Sequence, residues 1–135
     1  MNIFQFTGVH FLASYCECGS KLENLHDLKS ALIESINASG ATILGNVEHI
    51  FQSDKNPPPN GYTCVFVLSE SHASIHTYPE VNSCFVDLFT CGDNCSYEQF
   101  DKKLREYLQP SHVSYQVIKR NTINDLLDQN VTQYS

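Results

Sequence analysis

The stretch that decides the fold is 69–80, S-E-S-H-A-S-I-H-T-Y-P-E, read together with 83–90, S-C-F-V-D-L-F-T. Strands are predicted from about His72 to Tyr78 and from Ser83 to Thr90, and the Y-P-E-V-N segment between them has the composition of a tight turn. In a hairpin centred near Glu80, the numbers of opposed residues sum to about 161, which places Ser71 across from Thr90. Cys91 follows Thr90 directly. The hairpin therefore predicts that Ser71 and Cys91, distant in sequence, are neighbours in space.

Further strands and two helices are predicted on either side of this hairpin. Strands are predicted over 3–15, 41–51, 64–68 and 113–117 from their apolar runs and alternation. Apolar residues recur at spacings of three and four over 22–36, which indicates an amphipathic helix that ends at Gly40. Ser96 and Gln99 form a capping-box signature for a second helix, which ends before Pro110. The segment 53–61 contains three consecutive prolines and is predicted to be a loop.

The strands outnumber the helices and are joined mostly by short turns. This pattern favours an α+β fold, a two-layer sandwich with an antiparallel sheet and two main helices on one face. The strands carry apolar side chains on both faces, so the face without helices needs a cover. Homodimerisation into an α/β/β/α arrangement is the economical solution. We expect a single domain over 1–120 and a tail over 121–135.

The composition limits the classes of partner. The chain has 135 residues and a net charge of −7, and no cluster of Lys and Arg indicates nucleic-acid binding. It has no apolar run of membrane-spanning length, and its N-terminus lacks the features of a signal peptide, so a cytoplasmic location without membrane association is expected. The six cysteines should then be reduced. None of them forms a paired C-x-x-C motif, and no metal is predicted.

The chemistry of the segment remains open when only residue types are considered. Ser71 lacks the G-x-S-x-G context of a hydrolase, and Cys91 has no surrounding sequence of a known cysteine protease. A zinc site from His72, His76 and Cys91 is disfavoured because four residues along a strand separate the two imidazoles by about 13 Å. Attack of the Ser71 hydroxyl on the carbonyl of Glu70 is a further possibility. That route needs a strained turn, donors for an oxyanion and a base.

Two motifs resemble one known family. The segment 70–80 matches E-S-H-x-S-I-H-T-x-P-E, and 89–92 reads F-T-C-G. The resemblance extends to G-V-H at 8–10, to G-A-T-I-L at 40–44 and to the final strand. In these residues the chain resembles the S-adenosylmethionine decarboxylase proenzymes of the short prokaryotic class, and the likeness extends to about Arg120.

The resemblance implies self-cleavage between Glu70 and Ser71 into chains of 70 and 65 residues (135 − 70 = 65). Ser71 would become a pyruvoyl group, a covalent cofactor that forms a Schiff base with the substrate amine and accepts electrons as carbon dioxide leaves. The product would be the aminopropyl donor for spermidine synthesis. The family implies a homodimer with sites at the interface and no required metal.

The same resemblance assigns roles to individual residues. Thr63 matches the residue that assists the acyl shift, and His76 matches the base for β-elimination. Cys91 matches the acid that protonates the product carbon. Glu80 matches the ligand of the substrate ribose. Phe51 is carried over as the aromatic that stacks on adenine, although ten residues separate it from Gly61 and the proline-rich segment lies between them.

Two rival functions follow from the same residues. One is a related pyruvoyl enzyme that acts on arginine or ornithine. The retained Glu80 argues against it, because this residue favours a substrate with a ribose. The other is a non-catalytic regulatory or binding subunit on the same fold. The intact set of Glu70, Ser71, His76 and Cys91 argues against that reading.

Overall fold

The computed structural model describes residues 7–53, 56–91 and 94–121. Its strands are β1 (Thr7–Cys16), β2 (Ile43–Ser53), β3 (Asn56–Leu68), β4 (Ser71–Tyr78), β5 (Ser83–Thr90) and β6 (His112–Asn121). Its helices are α1 (Leu25–Ser39) and α2 (Tyr97–Leu108), with short 3-10 turns at Gly19–Leu22 and Pro79–Val81. The predicted start of the first strand at 3–6 and the predicted tail from 122 onward lie outside the described residues.

The six strands form one sheet in the order β2-β3-β4-β5-β1-β6. Every neighbouring pair is antiparallel. The first strand of the chain therefore lies between the last two strands, β5 and β6. The predicted antiparallel α+β sandwich is confirmed.

The β4–β5 hairpin has the predicted register. Ser71 lies opposite Thr90 at its open end, and Tyr78 lies opposite Ser83 beside the turn. Pro79 begins the turn and Asn82 closes it with a φ of 54°, a left-handed conformation that asparagine tolerates well. Local turn chemistry therefore fixes which residues face each other at the far end of the hairpin.

The helix ends also follow from the sequence. The side chain of Asn24 accepts a hydrogen bond from the Asp27 N–H at the start of α1, and the Ser96 hydroxyl accepts one from the Gln99 N–H at the start of α2. Gly40 ends α1 with a φ of 93°. A Cβ at Gly40 would lie 2.8 Å from the Asn94 carbonyl oxygen, so glycine satisfies both the conformation and the close approach.

The core lies between the two helices and one face of the sheet. Its fully buried large side chains come from the sheet and both helices: Phe11, Tyr15, Tyr62, Phe66, Ile75, Leu88, Leu28, Leu32, Ile36, Phe100 and Leu104. The Tyr15 hydroxyl donates a 2.6 Å hydrogen bond to Asp101, which ties the sheet to α2. Burial, reinforced by that hydrogen bond, raises the pKa of Tyr15 well above its ordinary value. No helix in the described ranges is long and apolar enough to cross a membrane.

The opposite face of the sheet carries exposed apolar side chains. They are Val47, Phe51, Val65, Val67, Tyr78, Phe85 and Ile118, each more than a third exposed. We call this surface the open face. The alternation of buried and exposed residues along β4 and β5 shows that one side of each strand contacts the helices and the other side does not. The expectation of an apolar face without helices is confirmed. That a second copy of the chain covers this face stays a prediction.

The predicted loop over 53–61 is wrong, because Asn56 already begins β3. Ser53 pairs with Asn56 and Phe51 pairs with Gly61, so residues 57–60 lie opposite Gln52 alone. The result is a large bulge, with four residues of β3 opposite one residue of β2. Three of those four residues are prolines, which have no backbone N–H to leave unpaired, and bulges are positions where strands tolerate proline. Proline content alone therefore suggested a loop where the strand continues past an irregularity.

Candidate active site

The peptide bond between Glu70 and Ser71 lies in a tight turn. Leu68 pairs with Ser71, so only Ser69 and Glu70 connect β3 to β4. Ser71 has a φ of 149°, a positive value that a residue with a side chain rarely adopts. Such conformations cost about 1–3 kcal/mol and persist only where the surroundings enforce them. The strained turn that serine attack on the backbone requires is therefore present at the predicted bond.

A backbone donor holds the carbonyl oxygen of that bond. The Cys91 N–H donates a 3.0 Å hydrogen bond to the Glu70 carbonyl oxygen. If the Ser71 hydroxyl attacked this carbonyl, negative charge would develop on the same oxygen, where a fixed N–H stabilises it. Cys91 thus lies beside Ser71 as the hairpin register predicted, and its exposed side chain remains available for a different task.

The residues before the bond are held by Thr42, which immediately precedes β2. The Thr42 carbonyl accepts a hydrogen bond from the Ser69 N–H, and the Thr42 N–H donates to a carboxylate oxygen of Glu70, both at 2.9 Å. A hydrogen bond from the Ser69 hydroxyl, with the Thr42 N–H second, lowers the pKa of Glu70. No sequence motif links Thr42 to Glu70, because 28 residues separate the two positions.

A second cluster of predicted residues lies at the other end of β4. Thr63 pairs with His76 across β3 and β4, and the Thr63 hydroxyl lies 2.5 Å from the Nδ1 atom of His76. The Phe51 ring lies edge-on to the His76 ring, with centroids 5.7 Å apart. The Tyr78 ring also lies edge-on to that imidazole, with centroids 4.7 Å apart. The imidazole is therefore fixed by a hydroxyl and two aromatic rings.

This second cluster opens into a cavity of about 650 Å³. Its walls include Phe51, His76, Tyr78 and Glu80, and the bulged Pro58 and Pro59 close one side. The volume suits a ligand the size of a nucleoside derivative. The predicted binding residues, Phe51 and Glu80, thus share one cavity with the predicted base.

One chain does not bring the two clusters together. Ser71 and His76 are separated by five residues of regular strand, which spans about 17 Å. Glu70, Ser71 and Cys91 belong to one end of the sheet, whereas Thr63, His76, Phe51 and Glu80 belong to the other. The sequence motif at 70–80 is contiguous, but its functional side chains are distributed over both ends.

Further polar groups lie between these clusters on the open face. Asp87 contacts the Ser74 hydroxyl at 3.4 Å, and its other oxygen lies 3.9 Å from Nε2 of His10. The His10 ring also lies edge-on to His72, with centroids 6.4 Å apart. In the described ranges, no three or more His, Cys, Asp or Glu side chains are grouped as a metal site. These groups form a polar strip across the open face.

The sequence of the chain matches one family of known proteins over most of its length. The family model described as S-adenosylmethionine decarboxylase matches residues 9–121. The chain is 34% identical over 119 residues to an S-adenosylmethionine decarboxylase proenzyme of Methanococcus maripaludis, covering 87% of this chain and 93% of that protein. It is also 34% identical over 116 residues to a proenzyme of the same name from Prochlorococcus marinus, covering 85% and 90%.

A solved structure gives the same result at the level of the fold. The crystal structure of the adenosylmethionine decarboxylase from Aquifex aeolicus matches with a TM-score of 0.73 and 27% identity. The match covers 95% of this chain and 98% of the other. Sequence and fold therefore point to the same group of proteins over nearly the whole length.

Proposed function

Since the chain belongs to the S-adenosylmethionine decarboxylase family, we propose that it cuts itself between Glu70 and Ser71 and then decarboxylates S-adenosylmethionine. The observation that best supports this proposal is the strained Ser71, preceded by a carbonyl that already accepts the Cys91 N–H. A turn with both features is suited to an acyl shift.

The proposed cleavage proceeds in three balanced steps. The Ser71 hydroxyl oxygen attacks the Glu70 carbonyl carbon, the C–N bond breaks, and an ester with a free amine remains. A base removes the Cα proton of residue 71, and β-elimination releases the Glu70 carboxylate and leaves a dehydroalanine. Its enamine tautomerises to an imine, and water hydrolyses the imine to a pyruvoyl group and ammonia. Thr63 is suited to assist the acyl shift, and His76, joined to it by a hydrogen bond, is suited to remove the Cα proton.

The surroundings of Ser71 fit a pyruvoyl group at that position. Residue 71 begins β4 opposite Thr90, so its place is fixed by strand pairing on both sides after the bond is cut. The carbonyl of the group would supply an electron sink for the loss of carbon dioxide. Cys91 lies beside it, and its exposed thiol is suited to deliver a proton to the product carbon.

The cavity at the other end of β4 suits the remote part of the substrate. Glu80 supplies a carboxylate that can accept hydrogen bonds from ribose hydroxyls. Phe51, about half exposed, presents a flat ring for a purine. The aromatic rings of Phe51 and Tyr78 are also suited to a sulfonium cation, which aromatic faces attract by about 0.5–2 kcal/mol.

We propose that two chains are needed for one complete site. The reacting group and the binding cavity lie about 17 Å apart in one chain, a strand of five residues. A two-fold dimer that packs the open faces together, with its β4 strands running in opposite directions, brings Ser71 close to the partner subunit's His76. The same packing covers the exposed apolar residues of the open face. A homodimer thus accounts for the bare surface and the divided site together.

Carbon dioxide release from carboxyl-labelled substrate tests the proposed function. We expect label to be released from S-adenosylmethionine and not from arginine or ornithine, because the cavity presents groups for a ribose and a purine. Release from arginine or ornithine alone would assign the chain to another pyruvoyl decarboxylase. A chain that stays uncut and releases nothing from any of the three would contradict the proposal.

Mixed dimers test whether the site is divided. Ser71→Ala and His76→Ala, each inactive alone, are co-expressed with different tags and purified through both tags. In such a dimer, the intact Ser71 of one chain faces the intact His76 of the other at one site. We expect about half of the wild-type activity per dimer to return, with only the His76→Ala chain cut. No recovery in a purified mixed dimer would show that both residues act within one chain.

The product of the proposed reaction has a use in metabolism, and the site belongs to a defined part of the chain. Decarboxylated S-adenosylmethionine carries an aminopropyl group on a sulfonium, so we propose that the product serves the transfer of that group in spermidine synthesis. We propose 1–120 as the single domain that carries the site. The tail from 121 onward has no assigned task.

A further inference from the structure

The side chain of Glu70 has contacts that its place next to the cut bond does not require. Its carboxylate accepts the Thr42 N–H at 2.9 Å and lies within hydrogen-bonding reach of the Ser69 hydroxyl. Thr42 and Ser69 are joined by a second hydrogen bond between their backbones. The side chain is therefore anchored to the segment before β2, although Glu70 itself is only half-buried.

The same residue is held at a second point by its main chain. Its carbonyl oxygen accepts the Cys91 N–H from the segment after β5. Glu70 thus bridges two separate segments at one end of the sheet, Thr42 before β2 and Cys91 after β5. With both ends fixed, the residue cannot rotate about its backbone without breaking one of the two hydrogen bonds.

The strained conformation of Ser71 needs such a restraint. A φ of 149° would relax toward the ordinary extended region if the preceding peptide were free to turn. The anchored Glu70 holds that peptide from the N-terminal side, while strand pairing with Leu68 and Thr90 holds Ser71 from the other side. The restraint therefore limits how far the peptide before Ser71 can turn.

We propose that the Glu70 carboxylate is a positioning residue for self-cleavage. It acts through the Thr42 N–H to hold the cut peptide in its reactive conformation. This inference rests on the proposed self-cleavage and adds a role for a side chain whose own contribution to the reaction was unassigned. Because the role is that of a hydrogen-bond acceptor, it requires an oxygen atom and not a negative charge.

The rate of self-cleavage in two variants of Glu70 tests this role. Glu70→Gln keeps the side-chain length and an amide oxygen for the Thr42 N–H, whereas Glu70→Ala removes the acceptor. Each chain is followed by intact mass from synthesis onward. We expect Glu70→Gln to cut within about threefold of the wild-type rate and Glu70→Ala to cut at least about tenfold more slowly, as expected for a lost hydrogen bond to a carboxylate. Glu34→Ala removes an exposed carboxylate from α1 and is the matched control.

Hydroxylamine identifies the step that fails, because it cleaves an ester and spares an amide. A positioning role acts before the ester forms, so hydroxylamine should not restore the cutting of Glu70→Ala. His76→Ala, blocked at elimination, should be cut by hydroxylamine and serves as the positive control. Cutting of Glu70→Ala by hydroxylamine would overturn the inference. So would a rate of self-cleavage in Glu70→Gln as slow as that of Glu70→Ala, or a rate in Glu70→Ala as fast as that of the wild type.

The outcomes separate this inference from the proposed function. A wild-type chain that never cuts refutes the proposed function itself. A wild-type chain that cuts, together with Glu70→Ala that cuts equally fast and has an unchanged melting temperature, refutes only the role of the carboxylate.

Discussion

Ser71→Ala is expected to leave a single uncut chain that releases no carbon dioxide from S-adenosylmethionine. Alanine lacks the hydroxyl that attacks the Glu70 carbonyl, so neither the ester nor the pyruvoyl group can form. The effect on activity should be complete, because the substituted atom is the precursor of the proposed cofactor. Intact mass measures the cut, and release of labelled carbon dioxide measures the activity.

The control for this variant is another serine of the same strand. Ser74 lies three residues further along β4, and its hydroxyl contacts Asp87 on the open face. Ser74→Ala should cut as the wild type does. Two fragments from Ser71→Ala, of the same lengths as in the wild type, would show that a different nucleophile opens the chain.

Cys91→Ala is expected to separate cofactor formation from turnover. The variant keeps the backbone N–H that donates to the Glu70 carbonyl, so self-cleavage should continue. It loses the thiol that is proposed to protonate the product carbon. Loss of a positioned general acid typically slows a reaction by about 10²–10⁴-fold, and kcat should fall within that range.

Two measurements make the Cys91 prediction specific. Sedimentation should show an unchanged oligomeric state, since the side chain is exposed at the end of the sheet. Cys95→Ala, which removes the half-buried thiol four residues further on, should retain wild-type turnover. Unchanged kcat in Cys91→Ala would remove this thiol from the mechanism, and an uncut Cys91→Ala would move it to the processing reaction.

Much of the architecture could be predicted because it depends on local chemistry. The β4–β5 register follows from a turn that contains Pro79 and Asn82, and a slip of one residue would move the apolar residues of a strand to the other face. The start of α2 follows from Ser96, whose side chain accepts the Gln99 N–H, and the end of α1 follows from Gly40. Each of these signals lies within a few residues of the feature that it determines.

The features that could not be predicted depend on contacts between distant segments. The anchor between Thr42 and Glu70 requires the sheet order to be known before it can be inferred. The bulge at Pro58 and Pro59 depends on how β2 pairs with β3, and proline content alone gave the wrong answer. The division of the site follows from the rise per residue of a strand, which places the two ends of one short motif about 17 Å apart.

The strand order has a consequence for the molecule after the proposed cut. The N-terminal fragment contributes β1, β2 and β3, and the C-terminal fragment contributes β4, β5 and β6. Because β1 is inserted between β5 and β6, the two fragments share three strand–strand interfaces and cannot slide apart as separate layers. Their reassembly after denaturation becomes a second-order reaction that depends on concentration, whereas the uncut chain folds as a single molecule. Folding must therefore precede cutting, and an unfolded mature enzyme would be far harder to recover than its precursor.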